Sequence, residues 1–105
     1  MLVPKSHRLV EVDLRAAFDW FEDQRPGLGA EFADEFRIYY RRICESPLRN
    51  AIRFNEIRRL NLRRFPYGIF YAVRDQELRI LAVLHSSRDA ASILADRRRT
   101  FASGR

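Results

Sequence analysis

Cysteine is almost missing from this chain. Cys44 stands alone, which rules out an internal disulfide, and the absence of any Cys or His cluster leaves no zinc ligand set. No metal and no cofactor are therefore expected. Cys44 follows Ile43 in a helical pattern, where a buried, inert thiol is the ordinary reading. Long hydrophobic runs are absent too. Nothing approaches the roughly 20 apolar residues of a membrane span, and the opening "MLVPKSHRLV" lacks the apolar centre of a secretion signal. A cytoplasmic protein without membrane contact is expected. Repeats, linkers and low-complexity tracts are likewise missing. Lysine is nearly absent: Lys5 is one of 20 cations and the other nineteen are arginine.

With 47% hydrophobic and 32% charged residues the chain is neither disordered nor membrane-like, and its 105 residues fit one domain, 1–105, around a single core. The net charge of +6 is unevenly spread. Residues 1–52 hold eight Lys/Arg and nine Asp/Glu, giving −1; residues 53–105 hold twelve and five, giving +7; the two sum to +6. Arginine favours forked contacts to phosphate or carboxylate, so the second half points to an anionic partner. A solvated basic face accounts for the same charge without one.

The apolar spacing gives the elements. A first strand is expected over His7 to Val12, then a helix capped by Asp13 and running to Gln24, with Leu14, Ala17, Phe18 and Phe21 on one stripe. "RPGLG" breaks it. A second helix carries Leu28, Phe32, Phe36, Tyr39 and Ile43 inward and ends before Pro47. "SPLRNAIRFNE" reads as loop. Three strands follow, Ile57 to Phe65, Tyr67 to Arg74 and Leu78 to Ser86, the last two joined by a turn at "RDQE". "LRILAVLH" is apolar nearly throughout and should be covered on both faces. On the first of the three, Leu60 and Leu62 face one way while Arg59, Asn61 and Arg63 face the other. A last helix is expected from Asp89 to about Arg99. The fold class is α+β, a small antiparallel sheet backed by an N-terminal helical hairpin, in the order β-α-α-β-β-β-α.

Three stretches, "AFDWFEDQRPGLGAEFADEF", "IRRLNLRRFPYGIFYAV" and "LRILAVLHSSRD", together resemble the RelE/ParE family of type II toxin–antitoxin toxins, in the family's order and over most of the chain. The resemblance implies a bacterial toxin that a cognate antitoxin wraps and neutralises. RelE-like members cut mRNA on the ribosome without metal; ParE-like members poison DNA gyrase. The RelE pattern, laid on this chain, puts sheet cations at Arg59 and Arg63 and a third at Arg88. It is broken elsewhere: Asn61 is neutral, Gly68 stands where an arginine follows the tyrosine, and Leu94 stands at the expected terminal tyrosine.

The ParE-like branch is therefore the favoured reading. A ribosome-dependent mRNA endonuclease using Arg63, His85 and Arg88 as catalytic residues is the alternative, and a degenerate toxin that retains only antitoxin binding is a third. Arg58, Arg59, Arg64 and Tyr67 are the candidate target contacts. Each also has a plain structural explanation: arginines guard an open strand edge, aromatics at strand spacing form cross-strand pairs, and a lone His at a strand end is commonly structural. Trp20, Ile38 and Tyr40 fall outside or at the edge of the inward stripes and are the candidate antitoxin contacts.

Overall fold

Alternation along the two longest strands decides the layering. The structure, a computed structural model, describes residues 2–101. Its elements are β1 (Val3–Ser6), α1 (Leu9–Gln24), α2 (Leu28–Glu45), β2 (Ile52–Phe54), β3 (Ile57–Asn61), β4 (Tyr67–Arg74), β5 (Glu77–His85) and α3 (Ala90–Phe101). On one face Ile69, Tyr71, Leu78, Ile80 and Val83 meet Val10, Ala17, Phe32 and Ile43 of the helical hairpin. On the other, Phe70, Ala72, Leu81, Ala82 and Leu84 meet Leu94 of α3. Helices thus cover both sides of β5, which accounts for its unbroken apolar run.

The α+β class and the hairpin backing are as expected, but the sheet has five strands and is mixed. Its order is β1-β5-β4-β3-β2, with β1 parallel to β5 and the other pairs antiparallel. The first strand lies earlier than His7 to Val12, because Val10 already belongs to the period-3.6 stripe of α1 and is 4% exposed. "SPLRNAIRFNE" is not all loop: Ile52–Phe54 pairs with β3 through a tight turn at Asn55, a residue that tolerates its positive φ of 50°. The third strand stops at Asn61 rather than Phe65. The turn between β4 and β5 is a two-residue loop, Asp75 and Gln76, both at positive φ, which matches the twist of the paired strands.

In the α1–α2 joint, Gly27 adopts φ 91°, and a Cβ at Gly29 would lie 2.8 Å from the Phe18 carbonyl. The Glu22 carboxylate accepts from the Gly27 and Gly29 backbone N–H groups at 2.9 and 3.0 Å, satisfying the first donors of α2.

Asp13 is not a cap. It sits inside α1, and its carboxylate pairs in a fork with Arg97 of α3 at 2.7 and 2.9 Å; both side chains are 9% exposed. The capping role falls to His7, whose Nδ1 accepts from the Leu9 N–H at 3.1 Å while Nε2 lies 2.9 Å from Thr100 Oγ1. An Nδ1 that accepts leaves the proton on Nε2.

Breaking a buried pair by removing one partner typically costs about 3–5 kcal/mol, far more than replacing both by apolar groups. Asp13→Ala is therefore expected to lower stability by about 3 kcal/mol or more in urea titrations at unchanged slope. The double variant Asp13→Leu with Arg97→Met should lose less than the single. A second expectation concerns His7, whose pKa is lowered from 6.5 first by burial and then by Arg97 and Arg8. The folded state thus binds the proton less well than the unfolded chain. Its stabilising contribution is complete above about pH 6.5 and falls as pH drops through the lowered folded value. His7→Gln should flatten the stability difference between about pH 7 and pH 5; an equal slope in both proteins would remove His7 as its source.

Candidate functional site

The β3–β4 connection is pinned by its apolar residues and leaves its cations outside. Leu62 and Phe65 are 6% and 5% exposed. Phe65 stands edge-on to Phe21 and Phe32 at 4.8 and 5.4 Å, locking the loop against the hairpin. The Leu62 N–H donates to the Tyr67 carbonyl at 2.9 Å, and the Ser86 N–H donates to the Pro66 carbonyl at 2.8 Å. The loop and the end of β5 therefore form one rigid rim. Arg63 and Arg64 project from it because the buried positions on either side are filled by apolar neighbours.

Beside this rim lies a cleft of about 440 Å³. Six sequence-predicted residues line it: Arg59, Arg63, Arg64, Tyr67, His85 and Arg88. Arg58 is not among them. It lies on the other face of β3 and donates to the Asn50 and Leu48 carbonyls at 2.6 and 3.2 Å, tying down the segment before β2.

The six are not equivalent. The guanidiniums of Arg63 and Arg88 make no ion pair or hydrogen bond among the described residues, and both residues are exposed. Arg64 is already held: Nη2 donates to Glu31 at 2.7 Å and its backbone N–H to Glu35 at 2.8 Å. Hydrogen bonds from Arg64, then Arg25, keep the Glu31 carboxyl below the usual carboxylate range. Nothing local in the sequence announces these partners, which lie 33 and 29 positions away.

Arg59 lies flat on the sheet, its guanidinium 5.9 Å from the Phe70 ring centre. Its stem crosses Gly68, where an added Cβ would come within 3.1 Å of Arg59 Cδ and 2.9 Å of Asn61 Oδ1. The side chain that Gly68 lacks is thus replaced in space by Arg59. Arg59 Nε is buried with no hydrogen-bond partner. An unmet buried donor typically costs about 1–3 kcal/mol, so the packing of Arg59 over Gly68 is held at the expense of that donor.

His85 is tied into the turn after β5. Its Nδ1 accepts from the Ser87 N–H at 3.0 Å and lies 2.8 Å from Ser87 Oγ, while the ring stands edge-on to Tyr67 at 5.3 Å. Burial raises the Tyr67 phenol above its ordinary value, against the pull of Arg88, so it keeps its proton at neutral pH. Leu94 is 1% exposed in the α3 core. The cleft therefore offers cations and a neutral phenol, with one ring nitrogen of its histidine already engaged. Among the described residues no group of His, Cys, Asp or Glu could hold a metal, and no helix is long and apolar enough to cross a membrane.

The hairpin residues behave in two ways. Trp20 and Ile38 are exposed, at 59% and 49%, so no described segment covers them. They do not form one patch. Gly29 abuts Phe18 and Glu22, which puts Trp20 near its level, and Ile38 is nine residues further, about 14 Å along α2. Tyr40 is half-buried, stacked on Phe36 at 5.8 Å. Between α1 and α2 the surface opens into an apolar groove of about 530 Å³ whose walls include Leu14, Phe18, Phe32 and Phe36. Phe32 is core and Leu14 and Phe36 pack against it, as their stripes require, while Phe18, which its stripe also turned inward, belongs to neither core cluster.

Comparison with known proteins meets this geometry from two sides. No curated protein matches the chain. Among solved structures, a chain of the chromosomal ParDE TA system from P. aeruginosa is similar at a TM-score of 0.73 and 20% identity, over 81% of this chain and 96% of that one, a likeness of fold. The model of the family described as ParE toxin of type II toxin-antitoxin system, parDE, matches residues 5–90. The chain, with its hairpin-backed sheet and cationic rim, belongs to the ParE toxin family of type II toxin–antitoxin systems.

Proposed function

We propose that this protein is the growth-arresting toxin of a two-protein system, neutralised by a cognate antitoxin and acting on DNA gyrase rather than cutting mRNA. The observation that carries the choice of target is the cleft's inventory. Metal-independent RNA cleavage needs one group to activate the 2′-hydroxyl and another to protonate the leaving oxygen. Here Leu94 is core, Gly68 supplies no cation, and His85 Nδ1 is committed to the Ser87 turn. Arg63 and Arg88 remain as cations unpaired among the described residues, suited to gripping an anionic surface.

Inducing the protein in cells tests the target. Arrest of DNA replication with an SOS response and intact mRNA is expected; cleaved mRNA, lost in His85→Ala, would hand the cleft to the endonuclease reading. No growth effect at all would leave antitoxin binding as the retained activity. Arg63→Ala with Arg88→Ala is expected to relieve toxicity at unchanged fold, because exposed positions usually cost within about 0.5 kcal/mol.

The antitoxin is assigned the outward side of the hairpin. Trp20, Ile38 and the groove between α1 and α2 are separate apolar exposures on the hairpin, spaced so that an extended segment folding on binding would have to cover them in turn. Its acids would reach the rim arginines. Trp20→Ala with Ile38→Ser should weaken antitoxin binding by about 2 kcal/mol or more in calorimetric titration. Unchanged affinity in the folded double variant would remove this side from the interface. A short neighbouring reading frame encoding a DNA-binding protein with an acidic tail would identify the partner.

A further inference from the structure

Two recesses open on the α3 side of the sheet, and the second has no part in the reading above. It measures about 230 Å³ and lies between the last turns of α3 and the far end of the β4–β5 hairpin. Its hollow exists because Ala72 and Ala95 face it with methyl groups, leaving Leu81 as backing. Four arginines from three elements surround it: Arg74 on β4, Arg79 on β5, and Arg98 and Arg99 on α3. Glu56 is the single acid in its lining, and Glu77 and Asp96 beside it pair with Arg79 and Arg99, so four positive charges meet three negative ones, net +1.

Resident carboxylates leave most donors unused. Arg74 meets Glu56 through Nη1 at 3.3 Å, Arg79 meets Glu77 through Nε at 2.9 Å, and Arg99 meets Asp96 through Nη2. Arg98 makes no ion pair or hydrogen bond among the described residues. Each guanidinium has five N–H donors, so several remain on every wall. A planar carboxylate pairs with a fork edge-on, whereas the tetrahedral oxygens of a phosphate accept from several directions at once. Convergence from β4, β5 and α3 fits the second.

The recess also lies in line with the first cleft. Ala90 lines the first and Phe101 the second, and the eleven residue steps from one to the other span about 16 Å of helix. A nucleic-acid strand carries one phosphate per about 3.4 Å of duplex axis, so a strand along α3 presents charge at both ends. We propose that the second recess seats a backbone phosphate of nucleic acid whose chain runs along α3 between the two recesses. The proposal does not rest on the gyrase assignment, since it is tested on naked nucleic acid.

The test is fluorescence anisotropy of the full chain with labelled single-stranded and duplex DNA of equal length, titrated across salt. Arg74→Gln with Arg98→Gln removes two recess cations. Arg15→Gln with Arg41→Gln removes the same charge from the exposed helices and serves as control, with thermal melts confirming that both fold. The recess variant should bind about tenfold or more weaker near 0.1 M salt, with a salt slope shallower by about one, and the control should change by less than about threefold. The tighter of the two DNA forms identifies the source of the phosphate. Equal losses in both variants would reduce the binding to diffuse net charge and overturn the site. So would displacement of the DNA by polyglutamate more effectively than by unlabelled oligonucleotide, which would make the recess a seat for an acidic polypeptide.

Discussion

Past Ile80 the edge of β5 loses its neighbour, and the whole fold is arranged around what replaces it. β1 ends at Ser6, opposite Ile80. The ladder between β4 and β5 then shifts, with Phe70 opposite Ala82 and Tyr71 opposite Ile80, so Leu81 is an extra residue on β5. The bulge turns Leu81 and Ala82 toward α3 together. It also leaves the Leu81 carbonyl and the Val83 N–H without a strand partner, a costly state for buried backbone. Arg97 donates to the carbonyl at 3.0 Å, Asp13 accepts from the N–H at 2.9 Å, and the two side chains neutralise each other in a fork. One ion pair thus joins α1, β5 and α3 across the sheet edge.

That junction sets where the functional surface lies. Arg97 and Leu94 hold α3 against β5 and bury Ile57, Phe70 and Ala72 with it, so the face stays open toward Asn61 and Gly68. The first cleft opens there, between Ala90 and the rim from Arg63 to Tyr67, and the second recess opens where α3 ends. The hairpin on the opposite face does a different task. Phe21 and Phe32 clamp Phe65, while Glu31 and Glu35 hold Arg64, so the rim that presents Arg63 is braced from behind. Rigid support of exposed cations is what preorganised recognition of an anionic surface requires.

Within the cleft, the departures from the RelE pattern are spatially coupled. Gly68 leaves a gap on the sheet, and Arg59 lies down into it across Phe70, which lays Arg59 along the cleft wall and buries its Nε unpaired. The resemblance registers these as two separate positions, one kept and one lost. In the fold they are one event, since a side chain at position 68 would compete with Arg59 for the same space.

Periodicity alone sufficed for α2, for β4 and for the covering of β5 on both faces, because burial imposes periods of 3.6 and 2 that no distant partner alters. The strand bounds and the short turn at 75–76 already put Tyr67 and His85 at neighbouring strand ends, but the register that gathers them with Arg63 and Arg88 around one cleft came from the fold. The boundary of α1 was misread because Asp13 has the chemistry of a cap, and local chemistry cannot distinguish a free helix donor from Arg97, 84 positions away. The engagement of Arg58 and Arg64, the bulge at Leu81 and the second recess were equally invisible, each depending on groups that only the folded chain brings within 3–4 Å. Sequence determined which faces are buried and where cations abound. Tertiary structure decided which of those cations are spent on the fold and which stay free, since hydrogen bonds and ion pairs act over a few ångströms of space and take no account of separation along the chain.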